Sequence, residues 1–136
     1  MKPFFFLMLM CLCGFSCVPW MDKKYAMTIK NSSGHPVNFY VAALGMDHMY
    51  PDTALQSSQP AMRAIGPGES ANWDISITFD KLFKELPTDT LSVYLFHPDT
   101  LAKYDWNAVR DNYKVLKRYD LSLDDLKNRD YNVTYP

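Results

Sequence analysis

The side chains best suited to moving protons near neutrality are three histidines, His35, His48 and His97. They lie far apart, with no i, i+4 pair and no cysteine partner, so a metal site would require three distant loops to converge. They read as turn and strand-end residues. Asp47-His48 opens a long polar stretch and, with a serine, allows a hydrolase triad built on His48, but no Gly-x-Ser-x-Gly elbow accompanies it. The adjacent acids Asp124 and Asp125 cannot face each other across a glycosidic bond and suit the first turn of a helix. No glycine-rich loop is present to cradle phosphate, and none of these patterns calls for a metal or other cofactor. Aromatic residues are more suggestive. Tyr50, Trp73 and Trp106 stand among several tyrosines that would stack on a sugar or a partner surface if exposed together, although rings at alternating strand positions usually fill a core.

The cysteines point to a different chemistry. Cys11, Cys13 and Cys17 all fall at the amino end of the 136 residues, so no disulfide staples the rest of the chain. Lys2, the apolar run from Phe4 to Leu12 and the small or polar residues around Gly14 and Ser16 follow the order of a secretory signal, too short to span a bilayer. Leu12-Cys13-Gly14-Phe15-Ser16-Cys17 resembles a bacterial lipobox, which implies cleavage after residue 16 and acylation of Cys17. Phe15 departs from the small residue usual at its position. Acyl chains contribute ~0.8 kcal/mol per buried methylene, so two or more anchor a chain durably without a spanning helix. Residues 17–24 form a short tether in which Trp20, Lys23 and Lys24 suit the lipid interface.

The elements that must position any site are predominantly strands. Tyr25, Met27 and Ile29 alternate with Ala26, Thr28 and Lys30, and Val37, Phe39 and Val41 resume the alternation after the turn residues 31–36, which predicts a hairpin. Residues 44–60 carry no sustained period and read as a long loop of functional character. Short strands are expected at 62–65 and 71–77 around Gly66-Pro67-Gly68-Glu69. Phe79, Leu82, Phe83 and Leu86 have helical spacing, with Thr78 as cap and Pro87 as stop. Leu91–Phe96 is apolar on both faces and predicts a central strand. A short helix capped by Asp105 is expected, then a strand over 113–119 whose inward face is ambiguous. Ser122 to Asp125 has capping-box spacing, and Tyr131, Val133 and Tyr135 complete a last strand.

This pattern predicts one mainly β domain over 25–136, a β-sandwich of immunoglobulin-like or transthyretin-like topology with one or two short helices. With 48% apolar and 21% charged residues the chain is core-forming, and 14 basic against 15 acidic residues give no basic excess for nucleic acid.

Tyr50-Pro51-Asp52-Thr53, Ile65-Gly66-Pro67-Gly68, Asp89-Thr90-Leu91-Ser92-Val93 and the run from Tyr113 through Tyr135-Pro136 resemble the small, uncharacterised lipoproteins of Bacteroidota. The resemblance covers nearly all of the chain after the signal, and its motifs are structural, so it brings no catalytic residue. It implies an outer-membrane lipoprotein. Asp22-Lys23-Lys24 departs from the acidic cluster of surface-exported members, which favours the periplasmic side. Asp52-Thr53-Ala54, Asp89-Thr90-Leu91 and Asp99-Thr100-Leu101 are similar to the O-glycosylation pattern of such bacteria, with Thr53 the favoured acceptor. The expected function is noncatalytic: a membrane-anchored domain with an envelope protein or glycan as partner. Carbohydrate binding through exposed rings is the alternative and a small hydrolase the third reading.

Overall fold

The computed structural model describes residues 25–136; the signal and tether expected over 1–24, including Cys17, lie outside the described residues. Within them the chain is mainly strand, arranged as two sheets with four short helices. The strands are β1 (Tyr25–Asn31), β2 (Val37–Ala42), β3 (Arg63–Ile65), β4 (Ser70–Ile75), β5 (Thr90–Phe96), β6 (Lys117–Ser122) and β7 (Asn132–Tyr135). The helices are α1 (Phe79–Glu85), α2 (Pro98–Lys103), α3 (Trp106–Asp111) and α4 (Leu123–Asn128). One sheet has the order β4-β1-β7, in which β1 runs antiparallel to β4 and parallel to β7. The other, β3-β2-β5-β6, is antiparallel throughout.

One buried cluster draws on both sheets. Met27 and Ile29 of β1 and Val133 of β7 share it with Val37, Phe39 and Val41 of β2, Leu91, Val93 and Leu95 of β5, and the apolar face of α1. Side chains on alternate positions of a strand point the same way, so the period-two pattern of β1 and β2 selects these residues for the inner face. On the opposite face of β2 and β5, Tyr40, Ala42, Tyr94 and Phe96 form a second cluster with Leu55 from the long loop and Val109 from α3. The four-stranded sheet is therefore covered on both sides, which explains why Leu91–Phe96 is buried throughout. Tyr40, out of phase with Phe39 and Val41, is buried on this second face, where its ring stacks on Tyr94 at 5.0 Å and on Phe96 at 5.9 Å.

Local signals fixed most helix starts. Thr78 Oγ1 accepts from the Lys81 N–H at 3.1 Å, Asp105 Oδ1 from the Ala108 N–H at 2.8 Å, and Ser122 with Asp125 closes the capping box. Each satisfies backbone donors that a helix leaves unpaired. The helix content exceeds the one or two expected. α2 is the helix with no sequence signal of its own in that reading: it begins at Pro98, spans six residues and has no buried side chain, so its sequence carries no apolar stripe. The strand expected over 113–119 begins only at Lys117. Before it, Tyr113 takes a positive φ of 46° after α3, and the Lys114 N–H returns to the Val109 carbonyl at 2.9 Å, so these residues turn instead of extending.

A polar residue fastens the two sheets. Asn31, the last residue of β1, is fully buried, and its Nδ2 donates to the carbonyls of His35, Ile65 and Gly66 at 2.8, 3.2 and 3.1 Å. Its Oδ1 accepts from the Ser33 N–H at 3.0 Å and the Ser33 hydroxyl at 2.6 Å. The amide thus ties β1 to the β1–β2 turn and to the end of β3 in the other sheet. Asn31→Ala strands several buried groups whose loss costs ~1–3 kcal/mol each. The expected loss is about 3 kcal/mol of unfolding free energy, read by urea denaturation; a loss below about 1 kcal/mol would show that water replaces the amide.

Candidate functional site

The loop 44–60 is expected to be an open excursion, but its middle is packed down. Leu55 enters the outer cluster and Gln56 is buried beside it at 4% exposure. Gln56 Oε1 accepts from the Asp47 N–H at 3.0 Å and the His48 N–H at 3.4 Å, while its Nε2 donates to the His48 carbonyl. One side-chain amide thereby supplies the backbone partners that a loop without strand or helix lacks. α3 holds the same stretch from outside: Trp106 Nε1 donates to the Gln56 carbonyl at 2.9 Å, and an Arg110 Nη to the Ser57 carbonyl at 3.1 Å.

His48 sits on this fixed loop between two carboxylates. Its Nδ1 lies 2.7 Å from Asp52 Oδ2 and its Nε2 3.9 Å from Asp47 Oδ2. The Ser57 hydroxyl donates to Asp47, not to the imidazole. A Ser–His–Asp nucleophile needs the serine on the ring nitrogen remote from the acid; here a second acid occupies that direction. The arrangement is an acid-histidine-acid chain that locks loop conformation. The Ser57 hydroxyl lowers the Asp47 carboxyl below its usual range, and the Ala54 N–H, followed by His48, does the same for Asp52.

Beneath the loop, Arg118 and Asp120 alternate outward from β6, opposite Tyr94 and Ser92 of β5. Arg118 Nε donates to Asp120 Oδ1 at 2.7 Å, and the buried Ser92 hydroxyl donates to the same oxygen at 2.5 Å. The guanidinium lies 5.3 Å from the Tyr94 ring and 6.0 Å from the Tyr50 ring. Burial, opposed by Arg118, pushes the Tyr94 hydroxyl up to about 12. The Tyr40 hydroxyl nearby has no hydrogen-bond partner among the described residues, although the Gln56 backbone approaches it. Its ionisation is pushed far upward, chiefly by burial. Such hydroxyls stay neutral at any physiological pH.

The three aromatic residues singled out as ligand contacts do not form one platform. Trp106 is half-buried, meets Phe96 edge-on at 5.9 Å and has its N–H engaged by Gln56. Tyr50 lies over Arg118 on the same side of the sheet. Trp73 belongs to β4 and packs on the inner cluster, where it lines an open hollow of about 310 Å³ with Phe39, Val41, Met46, Met62 and Arg63. The hollow exists because β3 pairs with β2 only as far as Phe39, which leaves the remainder of β2 without a strand on that side. Thr53 is exposed in the loop, with the Asp52 carboxylate before it accepting from the Ala54 N–H at 2.8 Å, whereas Thr90 and Thr100 are half-buried. Arg118 and Asp120 carry the i, i+2 spacing that marks a shared face of a strand, the sequence signal for their pairing. Gln56 left no such signal. Among the described residues no cluster of three or more metal-ligating side chains is found, and no helix is long and apolar enough to cross a membrane.

Comparison with known proteins adds no family: no protein-family model, no curated protein and no solved structure matches the chain. The class that can be stated is a mainly β, two-sheet fold with four short helices and a side-chain-bonded loop over one sheet.

The loop should respond to acid. Because the Asp47 and Asp52 carboxyls lie below their ordinary value of 3.8, the bonds they accept are intact above that value. They are lost as pH falls through the depressed folded values. Amide exchange of residues 46–57, corrected for intrinsic rate, should accelerate below about pH 4 while the β5 amides stay protected. An Asp47→Asn/Asp52→Asn variant should show the faster exchange already at pH 6; equal protection in variant and parent would remove the carboxylates from loop fixation.

Proposed function

We propose that the chain is a lipid-anchored envelope protein, acylated at Cys17 and held at the outer membrane on its periplasmic side. Its 25–136 domain is a noncatalytic β-sandwich, immunoglobulin-like or transthyretin-like, that binds an envelope protein or glycan. The observation that carries the binding role is the loop over the four-stranded sheet. Gln56, Trp106 and Arg110 fix its backbone, so it offers a partner a surface whose ordering cost is already met. Both ring nitrogens of His48 face carboxylates, an arrangement that favours a structural role over the hydrolase reading. The inner cluster shared by the two sheets supports the sandwich. In this reading Thr53, exposed at the loop, carries the O-linked sugar.

Crosslinking of the intact protein in membranes, read by mass spectrometry, tests both parts. Expected are an acyl-modified Cys17 peptide and crosslinks from residues 44–60 to one recurrent partner. Cys17→Ala should shift the protein from the membrane to the soluble fraction. Retention of that variant in the membrane would defeat the anchor, and turnover of a hydrolase substrate abolished by His48→Ala would replace the binding role with an enzymatic one.

Carbohydrate recognition is the second reading, and the Trp73 hollow favours it: an indole beside Arg63 offers both a stacking face and a polar donor. Screening against neutral glycans should then find a ligand whose affinity falls at least ~10-fold in Trp73→Ala, about 1.4 kcal/mol. Neutral-glycan binding that survives Trp73→Ala would exclude the hollow.

A further inference from the structure

A second, chemically distinct hollow lies where β5 runs into α2. It measures about 270 Å³ and is lined by His97, Thr100, Tyr104, Lys114, Val115 and Leu116. Lys114, in the lining, has its Nζ 4.3 Å from the centroid of the Tyr104 ring, and Lys103, outside the lining, has its Nζ 5.3 Å from the same ring. Neither lysine has a carboxylate partner among the described residues, whereas Arg110 and Arg118 nearby are paired with Asp111 and Asp120. The cations are therefore held by a π face and remain uncompensated.

The wall that carries Lys114 is fixed. The Lys114 N–H bonds the Val109 carbonyl and the Leu116 N–H the Leu95 carbonyl, both at 2.9 Å, and Val115 packs against the outer cluster. His97 accepts the Asp99 N–H on Nδ1 at 3.2 Å, which leaves its other ring nitrogen for a ligand. The Asp99 carboxylate, 3.6 Å from that Nδ1, is the nearby negative charge and stands out in solvent. Tyr113 and Leu116, 45% and 37% exposed, are two of the three exposed large apolar side chains among the described residues, and both belong to this short segment.

We propose that this hollow binds an acidic sugar, a uronic acid or similar carboxylate-bearing residue of a glycan. The Lys114 ammonium takes the carboxylate, with Lys103 adding positive charge at the Tyr104 ring, Thr100 and His97 meet ring hydroxyls, and Val115 with Leu116 takes the apolar C–H face. A bare phosphate would leave the apolar wall unused. The hollow, just below the ~300 Å³ at which ligand pockets usually begin, has room for a single sugar ring. The site is independent of the anchor, of the loop surface and of the Trp73 hollow.

Calorimetric titration of the full chain in detergent with trigalacturonate tests the proposal, with cellotriose, inorganic phosphate and hexaglutamate as comparators. Trigalacturonate should saturate one site. Lys103→Gln/Lys114→Gln should weaken it at least ~10-fold through loss of charge-assisted bonds, and Tyr104→Leu, which removes the ring beside both lysines, should weaken it as well. Lys84→Gln, on α1, serves as the control and should bind like the parent; matching thermal unfolding of all variants confirms that each is folded. Unchanged affinity in the double variant, equal binding of cellotriose, or tighter binding of phosphate or hexaglutamate would each overturn the acidic-sugar assignment, as would absence of binding by folded parent protein.

Discussion

The pairing of β2 with β5, buried on both faces with no disulfide among the described residues, is the constraint to which the remaining structure answers. A strand pair covered once would leave Tyr40, Tyr94 and Phe96 in water. Their rings instead form a stacked row, and a row of that size has to be roofed. The β4-β1-β7 sheet already covers the other face, so the roof comes from a loop and a short helix: Leu55 in the loop and Val109 in α3. Packing thus comes first, and the shape of the loop follows from it.

Roofing a sheet with a loop raises a backbone problem, because carbonyls and N–H groups without ladder partners are costly to bury. The chain solves it the same way twice. Gln56 satisfies Asp47 and His48 within the loop, and Asn31 satisfies His35, Ile65 and Gly66 at the opposite end of β2. An amide has both donors and an acceptor on one planar group and can stand in for a missing strand neighbour without introducing charge. A carboxylate at either place would lack the donors, and an apolar residue would orphan every partner. Tyr40 marks the limit of this solution: its ring fits the row, but its hydroxyl has no hydrogen-bond partner among the described residues.

Features set by near neighbours were in large part legible in the sequence, but the hairpin expected of β1 and β2 does not form, because the turn after Asn31 carries the chain into the other sheet. The alternation in β1, the two-faced apolarity of Leu91–Phe96 and the caps at Thr78, Asp105 and Ser122 are encoded within a few residues of where they act. What stayed hidden depends on distant chain. Gln56 sits in a polar run, Gln56-Ser57-Ser58-Gln59, with nothing local to single it out; its burial is decided by Trp106, fifty residues on. The same holds for Tyr113–Leu116, whose apolar and β-branched residues read as strand but are turned aside by α3, and for α2, whose six residues follow Pro98 without a buried stripe. Among the site candidates, Thr53 and His48 were visible as loop residues, yet that His48 would be pinned between Asp47 and Asp52 required the loop to fold back on itself.

The distribution of unpaired cations follows from the same roofing. Basic groups that face the covered sheet are neutralised where they stand: Arg118 is drawn under the loop and matched by Asp120, and Arg110 spends its guanidinium on Asp111 and the Ser57 carbonyl. Arg118, largely buried, needs that match because an uncompensated buried charge is costly, whereas the Arg110 pair is more exposed. Lys103 and Lys114 lie beyond the roof's edge, where solvent removes the obligation, and they remain unmatched while still fixed in place by Tyr104. Charge that is ordered but not neutralised is free to act on something outside the molecule, and here it stands beside an apolar wall that is also left uncovered. The sheet's need for cover therefore separates a hydrogen-bonded polar network beneath the loop from unmatched positive charge at its margin.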